Sequence, residues 1–295
     1  MHRTPVLSFF CLLALTVAAG CIAPEAPATL VPAATAVLTA PTATAAPAKA
    51  LATATAASSA AAAGAAGAVL RQIEFQGISF TYPPVLARGA AGQAVAAAET
   101  GQDAPWWLPA PAYRAISLEG YAPGNTSQAP IIAVYPAAEF ASANAQAAKR
   151  IASLRALLAE APANPSGDLP FLPLINAKQE MHTGEKYLAF RGGRGVAYLT
   201  QYAQAPLSVN NHDLIYTFQG LTDDGRYYVS AVLPVAHRDL PADGTSLPAD
   251  GKQSLAAILG ASMGGAIQVL EAQPSGFTPA LADLEGLVRS IEVRQ

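Results

Sequence analysis

Beyond residue 70 the apolar positions fall into a period of two. Ile73 and Phe75 alternate with polar neighbours, Gln76-Gly77 makes a turn, and Ile78, Phe80 and Tyr82 alternate with Ser79 and Thr81. This predicts a hairpin with one buried face, ended by Pro83-Pro84. Strand patterns recur at 113–121, 131–135, 180–182, 186–190, 196–202, 214–221 and 227–233, with a short closing strand at 291–293. Thr222-Asp223-Asp224-Gly225 joins two of these runs, and Asp followed by Gly is a hairpin signal because glycine accepts the positive φ of the turn.

Between the strands the period changes to three and four. Phe140, Ala143, Ala147, Ile151, Leu154 and Leu158 form one stripe, which predicts a single helix over 138–160 with Lys149, Arg150 and Arg155 facing solvent. Residues 252–270 and 279–289 read as two more helices, the last with Thr278 as cap and Pro279 at the first helical position. The expected fold is therefore α+β: one domain over 69–295, a mostly antiparallel β-sheet covered by about three helices.

The first 68 residues follow another pattern. Residues 1–20 have the layout of a signal peptide: His2 and Arg3, an apolar run from Val6 to Val17, then Ala18-Ala19-Gly20 and Cys21. That run is too short for a bilayer span, which takes about 20 residues. The ending LTVAAGC resembles the bacterial lipoprotein signal, with Ala18 where the usual leucine stands and Leu15 further upstream. The resemblance implies that Cys21 is acylated (palmitate among its chains) and becomes the new N-terminus; the alternative is cleavage near Gly20 and free secretion. The other cysteine is Cys11, inside the signal, so the mature chain has no thiol for a disulfide, a zinc site or a nucleophile. Residues 21–68 are Ala, Thr, Pro and Val with few exceptions, and prolines 24, 27, 32, 41 and 47 interrupt any helix. Such a segment is expected to be a disordered linker. As a flexible coil it would span roughly 40 Å, and about 145 Å fully extended.

Composition narrows the function classes. Only 13% of residues are charged and the net charge is −3. This argues against nucleic acid as a partner and against a polybasic attachment to anionic lipid. No P-loop and no dinucleotide fingerprint occurs, and no cofactor is implied.

Four strings carry a further resemblance: GISFTYPP near the start of the domain, LPFLPL at 169–174, YLTQYAQ at 198–204 and FQGLTDDGRYYVSAVLPV at 218–235. They look like a family of uncharacterised lipoproteins from filamentous, Chloroflexus-type bacteria. The family brings no established activity. More distantly, GISFTYPP with the closing LVRSIEV is similar to PsbP-like domains, which implies an antiparallel sheet between helices used for binding or assembly.

Candidate chemistry is sparse. Gly260-Ala261-Ser262-Met263-Gly264 matches the G-x-S-x-G nucleophile elbow as a string. The elbow needs a strand-to-helix turn, with an acid and then a histidine following. Asp283 follows, but no histidine occurs after His237, and close packing of a helix explains the small residues as well. His182, His212 and His237 have no metal-ligand spacing, and solvated surface positions are the simpler expectation, although Asp213 and Asp239 stand nearby in sequence. Asp223-Asp224 would hold calcium only with more oxygen ligands, and Arg191-Gly192-Gly193-Arg194-Gly195 reads as a hairpin turn. Trp106-Trp107, between Pro105 and Pro109, is the aromatic feature with a binding chemistry: tryptophans on a loop anchor proteins or sugars. The alternative is that they cover the core.

These readings combine into a lipoprotein anchored at Cys21 to the extracytoplasmic face of the cell membrane. Its domain is a non-catalytic binding or assembly module for a protein or cell-envelope partner. The rival readings are a small-ligand module, with carbohydrate on Trp106 and Trp107, and a serine hydrolase using Ser262. No metal ligand set is expected.

Overall fold

The computed structural model describes residues 69–98, 101, 104–244 and 255–294, the side chains of 255–261 excepted. The signal, the acylated cysteine and the linker expected over 1–68 lie outside the described residues.

The period-two run forms the predicted hairpin, β1 (Arg71–Phe75) and β2 (Ile78–Tyr82), and the C-terminal β12 (Glu292–Val293) pairs antiparallel with β2 to make a three-stranded sheet. The main sheet has seven strands, all antiparallel to their neighbours. They are β3 (Gly89–Val95), β4 (Tyr113–Glu119), β5 (Ile131–Pro136), β6 (Lys178–Phe190), β7 (Gly193–Ala203), β8 (Ile215–Thr222) and β9 (Tyr227–Pro234). Their order across the sheet is β3-β4-β5-β9-β8-β7-β6. The Arg191-Gly192 and Asp223–Arg226 turns close the β6–β7 and β8–β9 hairpins where the glycines predicted them. A two-stranded ladder, β10 (Ala236–His237) with β11 (Phe277–Thr278), lies outside the main sheet.

The fold is α+β, with four helices among the described residues: α1 (Ala137–Ala143), α2 (Ala145–Glu160), α3 (Leu255–Ala272) and α4 (Leu281–Ser290). Alternation along the central strands sorts side chains to two faces. Ala197, Leu199, Tyr216 and Phe218 face one core, which the β1–β2 hairpin, α3 and α4 cover with Ile78, Phe80, Leu270, Leu284 and Val288. Val196, Tyr198, Leu221 and Tyr228 face the other, covered by Phe140 of α1, Ile151 and Leu154 of α2, and Leu169 and Leu172 of the following loop. Full burial of each such Ile, Leu or Phe contributes roughly 1.5–3 kcal/mol, so the α2 stripe holds that helix to the sheet. Both cores are drawn from residues 73–291.

Four differences from the sequence reading have physical causes. The helix expected over 138–160 is two helices, because Asn144 between them is extended (φ −147°, ψ 117°) and its side chain accepts from the N–H groups of Gln146 and Ala147. An asparagine at that point competes for backbone hydrogen bonds and starts a new helix. Strand β3, the Gly89-Ala90-Ala91-Gly92-Gln93-Ala94-Val95 segment, has no large side chain to show a period. A β-carbon on Gly92 would lie 2.1 Å from Phe75 Cγ, so the Phe75 ring packs on bare backbone there. The two runs at 180–182 and 186–190 are one strand, β6, with register shifts between Gln179 and Met181 and between Thr183 and Lys186. Ala280, not Thr278, is the N-cap of α4, and Thr278 belongs to β11.

Candidate functional site

Asn144 also fixes the one aromatic loop that the sequence singled out. Its Nδ2 donates to the carbonyls of Trp106 (2.8 Å) and Pro109 (3.3 Å) while its Oδ1 caps α2. The tryptophan loop is thereby held to the helix junction by a side chain that is itself buried. The two indoles meet edge to face, ring centroids 5.6 Å apart, and then part. Trp107 packs against the core under α1 and α2. Trp106 is 51% exposed.

Trp106 stands in the wall of an open cleft of about 520 Å³, with Asp168, Asn176, Lys178 and Gln204 around it. These polar side chains come from three places in the chain: Asp168 and Asn176 from the loop after α2, Lys178 from the start of β6, and Gln204 from just after β7. A smaller recess of about 70 Å³ continues from Trp106 past Arg150, Phe171 and Tyr202. The Phe171 and Tyr202 rings are 4.6 Å apart. Tyr202 of this recess is held by a hydrogen-bond network centred on Gln179. Gln179 Oε1 accepts from Leu169 N (2.8 Å), and its Nε2 donates to Thr200 Oγ1 (3.2 Å) and the Tyr202 hydroxyl (3.0 Å).

The LPFLPL segment is pinned in the same way. Gln219, fully buried in β8, accepts from Leu172 N (3.0 Å) and from the Tyr228 hydroxyl (2.7 Å), and donates to Leu172 O (3.3 Å) and Thr217 Oγ1 (2.8 Å). The Tyr198 hydroxyl donates to Pro170 O at 2.8 Å. Buried polar side chains of the sheet thus replace the ladder partners that a proline-bearing loop lacks. Phe171, Pro173 and Leu174 of this loop line the smaller recess.

The other candidate residues are placed as follows. Ser262 lies within α3, so the Gly260–Gly264 string is helical and the strand-to-helix turn an elbow requires is not formed there. His182 Nδ1 bonds the Glu185 carboxylate and Nε2 bonds Gly167 O at 3.0 Å. Both ring nitrogens are therefore engaged within the protein. The Glu185 hydrogen bond raises the His182 pKa above its ordinary value and burial opposes it. For Glu185 burial is the largest influence and acts upward, but the His182 hydrogen bond, a backbone hydrogen bond and the His182 charge together outweigh it, and the carboxyl sits below its usual range.

His212 lies 3.5 Å from Asp213, at a turn organised by the buried Asn210. His237 departs from the expected surface position: it is 0% exposed, edge-on to Phe277 at 4.8 Å. Its Nε2 donates to Gln273 O (3.0 Å), and Nδ1 accepts from Asp239 N (3.3 Å). A carbonyl can only accept, so the proton sits on Nε2. Asp224 accepts from Thr222 Oγ1 (2.6 Å) and Arg226 N (3.0 Å), a turn-closing arrangement, and these bonds, the threonine's first, lower its pKa. Among the described residues no group of three or more His, Cys, Asp or Glu is placed to hold a metal ion, and no helix is long and apolar enough to cross a membrane. Cys21 lies outside the described residues.

Sequence reasoning found Trp106 from its residue type but missed Asp168, Asn176, Lys178 and Gln204, which carry no local signal. Asn144 was legible in principle, as a capping residue inside an alanine-rich run. Compared with family models, with curated proteins and with solved structures, the chain matches none.

Proposed function

We propose that this chain is a lipid-anchored lipoprotein of the extracytoplasmic membrane face, whose domain is a non-catalytic binding module for carbohydrate. The single observation that carries the binding role is the half-exposed Trp106 indole in the wall of an open, polar cleft. An indole face stacks on the C–H side of a sugar ring, and the amides, carboxylate and ammonium around it match hydroxyl donors and acceptors. The aromatic group is held before the ligand arrives, by Asn144, which limits the ordering cost on binding. The anchor rests on the signal-like residues 1–20, on Cys21 and on the lipoprotein resemblance; the Ala/Thr/Pro-rich stretch after it acts as a spacer that lets the module reach envelope polysaccharide.

A protein partner is the second reading, favoured by the exposure of Leu108 (46%) beside Trp106. Calorimetric titration of the chain from residue 22 onward with soluble envelope oligosaccharides separates the two. Carbohydrate binding predicts saturable heat that Trp106→Ala abolishes without lowering the melting temperature. Silence across the oligosaccharides, with Trp106→Ala instead abolishing retention on intact envelopes stripped of polysaccharide, overturns the carbohydrate reading in favour of a protein.

A further inference from the structure

Where α2 meets the turn between β8 and β9 there is another open cleft, of about 380 Å³, unlike the first in chemistry. Arg155 and Leu158 line it from α2, Arg194 from β7, and Leu221, Asp223 and Gly225 from the end of β8 and its turn. The backbone dictates this convergence. Arg194 pairs directly with Leu221 in the β7–β8 ladder, and residues so paired share a face of the sheet. Leu221 belongs to the core under α2, so Arg194 stands on that face too. Arg155 is three residues before Leu158, hence on the same side of the helix, and Leu158 packs into the same core. Arg155 Nη2 lies 3.9 Å from where a β-carbon on Gly225 would be, so the guanidinium reaches across to the turn.

The charges here are unspent. Arg191, Arg238, Arg289 and Arg294 each have a carboxylate partner, in Glu292, Asp239, Glu285 and again Glu292. The guanidinium groups of Arg155 and Arg194 have no ion-pair or hydrogen-bond partner among the described residues, and neither has the Asp223 carboxylate. The adjacent Asp224 is already engaged, accepting from Thr222 Oγ1 and Arg226 N. Two planar forks and one carboxylate therefore border a space whose floor, Leu158 and Leu221, is apolar and buried.

We infer that this cleft is a binding site for a small phosphomonoester carrying an ammonium group, with the phosphate bridging Arg155 and Arg194 and the ammonium meeting Asp223. Donor count selects phosphate over carboxylate. A carboxylate has two oxygens and satisfies one guanidinium fork, whereas a phosphomonoester offers three terminal oxygens and nearly two negative charges, enough for both forks. The balance of charge selects the ammonium. Two guanidinium groups and one carboxylate are the mirror of a phosphate dianion joined to one cation, and such complementarity gives specificity. No residue of this cleft lines the Trp106 cleft, so the inference stands apart from the carbohydrate reading.

The test is an NMR titration of the chain from residue 22 onward, in phosphate-free buffer, with phosphoethanolamine, ethyl phosphate and acetate. Phosphoethanolamine is expected to bind saturably, to shift amides around Arg155, Arg194 and Asp223, and to bind tighter than ethyl phosphate, with acetate the weakest. Arg155→Gln and Arg194→Gln are each expected to weaken phosphoethanolamine about tenfold, the value of one hydrogen bond to a charged group. Asp223→Asn is expected to weaken phosphoethanolamine but not ethyl phosphate, since it removes the partner of the ammonium and a charge that repels the phosphate. Lys149→Gln, exposed on α2 and outside the cleft, is expected to change nothing. No saturable binding of phosphoethanolamine to the unmodified chain would overturn the inference. So would acetate binding as tightly as phosphoethanolamine, an effect of Lys149→Gln equal to those of the arginine variants, or equal weakening of both phosphates by Asp223→Asn. Oligosaccharide binding at Trp106 is expected to be the same in all these variants, so failure at one site is distinguishable from failure at the other.

Discussion

Replacing Asn144 with alanine removes in one step the acceptor for two helix N–H groups and the donor to two loop carbonyls. A lost N-cap costs about 1 kcal/mol and a lost buried hydrogen bond about another. Asn144→Ala is therefore expected to lower unfolding stability by about 2 kcal/mol in a denaturant titration, and to weaken ligand binding at Trp106 because the loop is released. Asn144→Asp should keep the cap and lose only the loop bonds. His182 gives a prediction in pH. Its folded-state pKa is raised, first by the hydrogen bond to Glu185, above the unfolded value of about 6.5. Its contribution is thus complete below about pH 6.5 and fades as pH rises through the folded-state value. Stability measured from pH 6 to 9 should decline with a component that His182→Gln removes; an identical slope in the variant would contradict this. Asn144 and His182 also mark what residue-level reading reaches. Asn144 reads as the interior of one continuous helix, because its neighbours are alanines and the apolar stripe runs across it, and the Glu185 and Gly167 partners of His182 come from a strand irregularity and a distant loop that no spacing reveals.

At the scale of elements, the strands with large alternating side chains were legible because burial of one face demands a period of two. β3 was not, since Phe75 from another hairpin supplies the bulk that its own sequence lacks. The same principle sets two glycine predictions of opposite sign. Gly195 in β7 faces Gly220 in β8, and a β-carbon on Gly195 would stand 2.4 Å from Gln219 O and 2.5 Å from Phe218 Cζ. The obstacle is backbone and a ring fixed in the core, so Gly195→Ala is expected to destabilise by about 1–3 kcal/mol. Gly265 in α3 has open space around the same position. Gly265→Ala is expected to stabilise by about 1 kcal/mol, because alanine restricts the unfolded chain and favours helix. Thermal unfolding of both variants checks the pair, and the strand variant melting at or above the unmodified chain would contradict the packing described.

The whole molecule joins features that local patterns do not connect. Trp106 precedes β4, Asp168 follows α2, Lys178 opens β6 and Gln204 follows β7. The β6–β7 hairpin brings Lys178 beside Ala203 and Gln204, while hydrogen bonds between Asn144 and Trp106 and between Leu169 and Gln179 set the two loops against it. A sequence pattern can supply the aromatic residue, but its polar surroundings exist only once the sheet has formed. The anchor is tested apart from the cleft: Cys21→Ala is expected to move the protein from the detergent phase to the aqueous phase in partitioning, and unchanged partitioning would contradict acylation. The central claim concerns the cleft, and the chain's own chromophores report on it. Trp106 and Trp107 are the only two tryptophans in the sequence, so intrinsic fluorescence titrated with soluble envelope oligosaccharides is the direct measurement. The account predicts a saturable change that Trp106→Phe removes and Trp107→Phe retains; fluorescence that no oligosaccharide alters, or a response that survives loss of Trp106, would contradict it.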